Sequence, residues 1–309
     1  MSTEVSLPVP APAPAAPVAS QTWQVGTVKV TQIVEQVVIV PLTFVFPEAT
    51  AEVTAEHPWL QPEFVDEDGQ GLLSMHSYVL ETADRRVIVD TCNGNDKVRT
   101  LYPMFHDLHL PFLQDLASAG YPPETIDTVL CTHLHGDHVG WNTRLVEGEW
   151  MPTFPSARYL FNEAEYLYWS RVAGTPEPSL AQEQFQAFAD SVAPVAAAGL
   201  ADFFTGRHQV TPEITLEPFP GHTPGHTCVR IQSGGQEAWI IGDVAHHPVQ
   251  LAHPGWYFAD SDPDEARAHR EALFSQLADQ PILVFGSHWP GRNAFYLIRE
   301  GSGYRLRTP

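Results

Sequence analysis

The sequence predicts an α/β fold, an αββα sandwich in which two mixed β-sheets pack face to face and carry helices on their outer faces. Three observations lead there. Strand-like runs come in two batches, each with helical segments of its own, the pattern of two sheets separately covered by helices. The 309 residues are 43% apolar and 17% charged, which supports a sizeable core and rules out wholesale disorder. A dense histidine cluster follows directly on an apolar strand, so one strand end is given over to chemistry.

In chain order, residues 1–22 form an Ala/Pro/Val/Ser tract, expected to be an extended tail, and residues 23–309 form one domain. The tract does not read as a secretory signal. Its first basic residue is Lys29, and Pro8, Pro10, Pro12, Pro14 and Pro17 interrupt any apolar stretch. Residues 27–40 read as two β-branched strands with a break. Residues 43–72 are acidic and Pro-punctuated, with Phe44, Phe46, Trp59 and Phe64 among them. They read as a long loop, either solvated or a flap that closes over a site. Strands follow at 74–80 and 86–90, a helix near 110–119, and an apolar strand at 126–131. Residues 157–161 read as a strand, with 163–169 and 181–192 as helices. The second batch of strands lies at 214–219, 228–232 and 238–241. A last helix starts with Asp262 at its cap, Pro263 in the first turn and Glu265 at the third position. Leu273, Phe274 and Leu277 give it a buried face, and strands at 282–285 and 304–307 close the chain.

Lys plus Arg number 16 against 37 Asp plus Glu, a net charge of −21. That balance argues against nucleic acid or an anionic membrane as partner, because both reward cations. No run of 18 apolar residues could span a bilayer. A small-molecule substrate and a cytoplasmic location are the expectations. The three cysteines, Cys92, Cys131 and Cys228, show no CxxC spacing, so neither a disulfide framework nor a thiolate zinc site is expected. They read as buried small apolar residues.

The informative segment is Cys131-Thr-His-Leu-His-Gly-Asp-His-Val-Gly-Trp-Asn142. Strand alternation sets His133 and His135 on one side, and the turn at Gly136 swings Asp137 and His138 in a second direction. Four N/O donors at this density need a cation to neutralise them, and imidazole with carboxylate suits Zn²⁺ best. The H-x-H-x-D-H pattern after a strand resembles the metallo-β-lactamase-fold hydrolases. The likeness extends over residues 23–309, because Pro220-Gly-His-Thr-Pro-Gly-His226, Ile241-Gly-Asp-Val244 and Phe285-Gly-Ser-His288 follow in the family's order.

The resemblance implies one metal on His133, His135 and His222, a second on Asp137, His138 and His288, and Asp243 bridging both. It implies two divalent ions, zinc first, with cobalt, manganese or iron as alternatives, and it leaves room for a homodimer. Asp at 243, where lactamases often place Cys or Ser, disfavours β-lactam hydrolysis. His135 stands where the redox di-iron branch has Glu. Two lysines in the whole chain, Lys29 and Lys97, do not make the basic arm of the RNA-processing branch. The lactonase and methyl-parathion-hydrolase-like branch is the one resembled. The expected activity is hydrolysis of a small neutral ester, lactone or organophosphate by a metal-bridging hydroxide. An iron-dependent oxidoreductase, a β-lactam or thioester hydrolase and a non-catalytic binding member are the alternatives.

Asp137 and His246 are the candidate catalytic side chains, since His246 stands three residues past the bridging Asp where homoserine-lactone lactonases carry Tyr. Asp90 is expected to orient a metal histidine, its bland alternative being a turn cap. His226 reads as a support rather than a ligand, and His247 as structural. Trp141, Trp256 and Trp289 follow the motifs closely and are the candidate pocket walls, in a site expected to lack Lys and Arg.

Overall fold

The computed structural model describes residues 20–171 and 180–309. Residues 1–19 of the expected tail lie outside that range. Gln21 and Thr22 already belong to the first strand, so the sheet begins ahead of residue 23. The first half of the chain supplies β1 (Gln21–Val25), β2 (Val28–Val40), β3 (Gly71–Glu81), β4 (Arg86–Val89) and β5 (Thr128–Leu130). It continues with β6 (Thr143–Val146), β7 (Glu149–Pro152), β8 (Arg158–Asn162) and β9 (Ala201–Phe204). The second half supplies β10 (His208–Gln209), β11 (Ile214–Pro218), β12 (Thr227–Ser233) and β13 (Gln236–Ile240). It ends with β14 (Ile282–Phe285), β15 (Phe295–Glu300) and β16 (Gly303–Arg307). One seven-stranded sheet runs β1-β2-β3-β4-β5-β8-β9, a second runs β10 to β16 in chain order, and β6 with β7 forms a separate hairpin. Both sheets are mixed: β4, β5, β8 and β9 pair in parallel, as do β13 and β14.

The helices are α1 (Leu42–Val45), α2 (Ala51–Ala55), α3 (Phe112–Ser118), α4 (Gly136–Val139), α5 (Glu163–Arg171), α6 (Leu180–Ser191), α7 (Ala193–Ala197), α8 (Val249–Ala252) and α9 (Pro263–Leu277). Side-chain alternation builds the layers. Val87 and Val89 of β4 face Ala238 and Ile240 of β13 between the sheets, while Ile88 and Trp239 point outward. Phe112 and Leu116 of α3, with Ala187 and Phe188 of α6, cover the outer face of the first sheet. Leu273, Phe274 and Leu277 of α9 cover the second. The result is the αββα sandwich expected from the sequence. Asp262 caps α9 by accepting from the Glu265 amide at 3.0 Å, also as expected.

Two readings need correction. Residues 28–40 are one strand, and the break is a β-bulge: Val34 pairs with His76 and Gln36 with Met75, which leaves Glu35 over. Residues 43–72 are not a structureless loop. They hold the end of α1, then α2 and a 3₁₀ turn at Pro58–Leu60, and they bury Phe46, Leu60 and Phe64 in the core. The sequence reading places no strand at β1, β9, β10 or β15 and no β6–β7 hairpin.

Candidate metal centre

The ligand-type residues sit where strands end. Beyond β5 the chain bends at Thr132 and His133 before it reaches His135, the cap of α4, so Asp137 and His138 fall within that short helix. Gln184 of α6 accepts from the Gly136 amide at 2.8 Å and fixes the turn between the two pairs. His222 lies in the turn that enters β12, Asp243 in the turn that leaves β13, and His288 just past β14. The Asp243 turn requires Gly242, whose φ is 55° and whose added Cβ would collide with the His226 ring. His226 Nε2 accepts the Asp243 amide at 2.9 Å. His226 thus stands behind the Asp243 turn and outside both ligand-type groups.

Two groups converge: His133, His135, His222 and Asp243 in one, and Asp137, His138 and His288 in the other. His135 Nδ1 is 3.0 Å from both His133 Nε2 and His222 Nε2, and His138 Nε2 is 3.2 Å from His288 Nε2. Asp243 lies between the groups, its Oδ2 3.4 Å from both His222 Nε2 and His138 Nε2, and its Oδ1 3.2 Å from His288 Nε2. Asp243 Oδ1 is buried without a hydrogen bond. Imidazole lone pairs aimed at one another and an orphaned buried carboxylate oxygen are costly unless a cation lies among them. Tetrahedral zinc with nitrogens at 2.0–2.1 Å spaces neighbouring ligands ~3.3 Å apart, close to these separations. The donor set fits divalent metal ions.

Protonation follows position. Burial, then neighbouring imidazoles, holds His133 and His135 well below the ordinary histidine range, in the neutral form a metal requires. Burial also opposes a proton on His138, but the carboxylates of Asp243, Asp90 and Asp137 outweigh it and raise this residue well above the usual range.

Behind the ligands stand carboxylates. Asp90, at φ 54°, accepts from the Thr132 amide at 2.7 Å, the Thr132 hydroxyl at 2.9 Å and His138 Nδ1 at 2.9 Å. Its carboxylate thus meets the His138 ring as well as the Thr132 turn. Sequence reasoning missed Asp260, which accepts from His222 Nδ1 at 2.9 Å, and Arg270, which donates to Asp260 at 3.1 Å. It also missed Glu165, which accepts from the amides of Leu134 and Gly225 and so ties two ligand loops together. A signal for Arg270 existed: it sits on the apolar stripe of α9 with Ala266, Leu273, Phe274 and Leu277.

The groups open into a cavity of about 400 Å³, walled by Val38, Val40, Leu73, Met75 and Met104 with Phe44, Tyr102 and Phe258. His246 lines it, with Nε2 3.2 Å from Asp243 Oδ2 and Nδ1 unpartnered. His247 instead donates through Nε2 to the Phe64 carbonyl at 2.9 Å. The three tryptophans do not line the cavity. Trp141 stacks on Phe112 and donates to Glu35 at 2.7 Å, Trp289 is wholly buried and donates to the Ala245 carbonyl, and Trp256 stacks on His253. Each is consumed by packing, and β2, β3 and the segment around Tyr102 supply the wall in their place. Among the described residues the wall holds one Lys or Arg, Arg99, whose two terminal nitrogens donate to Asp190 at 2.8 and 2.9 Å.

A profile of the Metallo-beta-lactamase superfamily matches residues 71–288, most of the chain and every ligand position. The chain belongs to that superfamily. The N-acyl homoserine lactonase of Bacillus thuringiensis is 22% identical over 227 residues, 69% of this chain and 81% of its own length. A probable metallo-hydrolase of Mycobacterium bovis is 28% identical over 195 residues, 57% of this chain and 58% of its own. Among solved structures, the hydrolase AbOPH of the beta lactamase superfamily superposes with a TM-score of 0.77 at 22% identity, covering 94% of this chain and 97% of that one. AidC, a dizinc quorum-quenching lactonase, gives 0.75 at 21% with the same coverage. This chain is thus a metallohydrolase of the superfamily, related to lactonases, and none of its described helices is long and apolar enough to cross a membrane.

Proposed function

We propose that this chain is a dinuclear hydrolase of neutral, largely apolar esters and lactones. The observation that carries the reading is the continuity of two ligand groups with an apolar-walled cavity. When bound, two divalent ions, zinc by donor type, would polarise a carbonyl oxygen and lower the pKa of water toward neutrality. The protein's residues do the rest. Asp243 spans both groups and fixes their separation. Asp137, whose side chain is 23% exposed on the cavity side, is placed to take a proton at a carboxylate oxygen and return it to the leaving group. His246 Nε2, which faces Asp243 Oδ2 at 3.2 Å on the cavity wall, would donate to a substrate oxygen once bound metal ions take up that carboxylate.

The wall gains about 25 cal/mol for each Å² of apolar substrate surface it takes from water. Arg99, the one Lys or Arg on the wall among the described residues, is already paired, and the net charge of −21 repels anions before they arrive. The lactonase relatives favour the lactone arm of this reading. Elemental analysis of purified protein should give close to two metals per chain. A panel of p-nitrophenyl esters, γ- and δ-lactones, phosphotriesters and phosphodiesters should be turned over in that order, esters and lactones first. A ratio that stays at one after metal replenishment, or a preference for polyanionic substrates, would overturn the reading.

A further inference from the structure

The two ligand groups share Asp243 but differ in what stands behind their histidines. His138 gives its Nδ1 proton to Asp90 at 2.9 Å, and the other donors to Asp90 are the neutral Thr132 amide and hydroxyl. No Lys or Arg among the described residues bonds Asp90, and it reaches His133 only through that hydroxyl, 3.1 Å from His133 Nδ1. His222 gives its Nδ1 proton to Asp260, also at 2.9 Å. There the second carboxylate oxygen is held by Arg270 at 3.1 Å, and neither side chain has any exposed surface.

Arg270 is placed at some cost. It lies on the buried stripe of α9, where an unpaired charge would be strongly destabilising. Its remaining bonds go to the carbonyls of Val244, Pro254 and Trp256, which anchor it beside Asp260. A carboxylate that shares its charge with a guanidinium pulls less on an imidazole proton and adds less negative potential at the metal position. Glu165 and Glu35, two further buried carboxylates behind these loops, bond backbone amides, an Asn side chain and indoles, and no imidazole among the described residues.

Around the Asp137, His138 and His288 group stand two carboxylates, Asp137 and Asp90, that no Lys or Arg among the described residues pairs with. Around the His133, His135 and His222 group the one carboxylate bonded to a ligand histidine is compensated. We infer that the two metal positions are unequal: the ion held by His133, His135 and His222 is the more weakly bound and exchangeable one, and Arg270, acting through Asp260, sets that difference. The inference rests on the dinuclear reading above. Arg270 is a positioning residue and touches no substrate.

The test is zinc release from the full-length, zinc-loaded protein into an excess of chromophoric chelator. Wild type should release two equivalents in two phases of equal amplitude. Asp260→Asn should speed the fast phase by about 10-fold and leave the slow one unchanged, within the range such supporting carboxylates command. Asp90→Asn should speed the slow phase. Arg270→Met leaves the Asp260 charge uncompensated and should slow the fast phase, while Arg270→Lys should release like wild type. A merely structural Arg270 would make Arg270→Met release both ions faster, and that result would overturn the inference. So would a single wild-type phase, or an Asp260→Asn effect confined to the slow phase. If Arg270→Met does not fold, Asp260→Asn still decides. Fewer than two zinc ions bound by wild type would overturn the dinuclear reading instead.

Discussion

His246 joins the ligand cluster to the cavity, and its position is set from the backbone. Its amide donates to Gln250 Oε1 at 2.7 Å, which aims the ring at Asp243. Burial lowers its pKa despite the pull of Asp243, so near neutral pH the ring is uncharged and carries one N–H. A neutral donor suits an oxygen whose charge grows as the bond to it breaks. His246→Phe keeps the ring plane and removes that donor. Its kcat should fall about 10²-fold while elemental analysis shows unchanged metal content. Unchanged turnover would remove His246 from the chemistry. The contrast with Trp141, Trp256 and Trp289 is instructive, because all four residues lie close to a ligand motif in sequence. A large apolar ring gains most by burial, and these three went into packing. The histidine, with a polar edge to satisfy, stayed at the wall.

Among the elements, the bulge in β2 does the most for the site. It turns Glu35 inward, where the carboxylate accepts from the Asn93 amide at 3.0 Å, Asn93 Nδ2 at 2.9 Å, the Gly94 amide at 3.0 Å and Trp141 Nε1 at 2.7 Å. Those donors belong to the loop after Asp90 and the turn after His138, which meet so closely that no Cβ fits at Gly140. Glu35→Ala leaves several buried donors without a partner and should cost on the order of 3 kcal/mol in urea unfolding of the metal-loaded protein. A loss below ~1 kcal/mol would mean that water replaces the carboxylate. In the sequence this bulge reads as a break between two strands, since an extruded residue and a strand break leave the same trace. The layers were legible because β-branched runs and the α9 stripe repeat at their own periods. Four of the candidate ligands stand out because they share six positions, whereas His222, Asp243 and His288 stand out only through the family resemblance. Helices of four or five residues such as α1, α2 and α8 are too short to show a period. Asp260 and Arg270 were hidden for another reason: they lie far along the chain from His222, and only the packing of α9 against the Asp243 turn brings the three together.

At the scale of the whole molecule, several histidines are buried neutral, and this ties stability to pH. His247 is the cleanest case. Its partners are the Phe64 carbonyl and the Val249 amide, neither of which titrates. Burial, only partly offset by the bond to Phe64, lowers its pKa from 6.5 to about 4. The unfolded chain therefore binds a proton between pH 6.5 and about 4 that the folded chain refuses. The contribution of His247 is complete above pH 6.5 and is lost as pH falls through that window. Between pH 7.5 and pH 5 the loss is about 2 kcal/mol for a group this fully buried. His76 and His226, both lowered to about 3 with burial as the leading cause, act in the same direction. Acid also weakens metal binding by protonating ligands, so the fall of wild-type stability alone would not isolate any of them. A difference does. Both His247→Gln and wild type lose metal affinity alike at pH 5, and only wild type must also protonate residue 247. Measured by urea unfolding at pH 7.5 and pH 5, the variant starts less stable, because its bond to Phe64 is poorer. Its stability should nevertheless fall by about 2 kcal/mol less than that of wild type across the same interval. Parallel losses in the two proteins would show that His247 already binds its proton in the folded state, and that the polar contacts of this buried ring, rather than its burial, decide its charge.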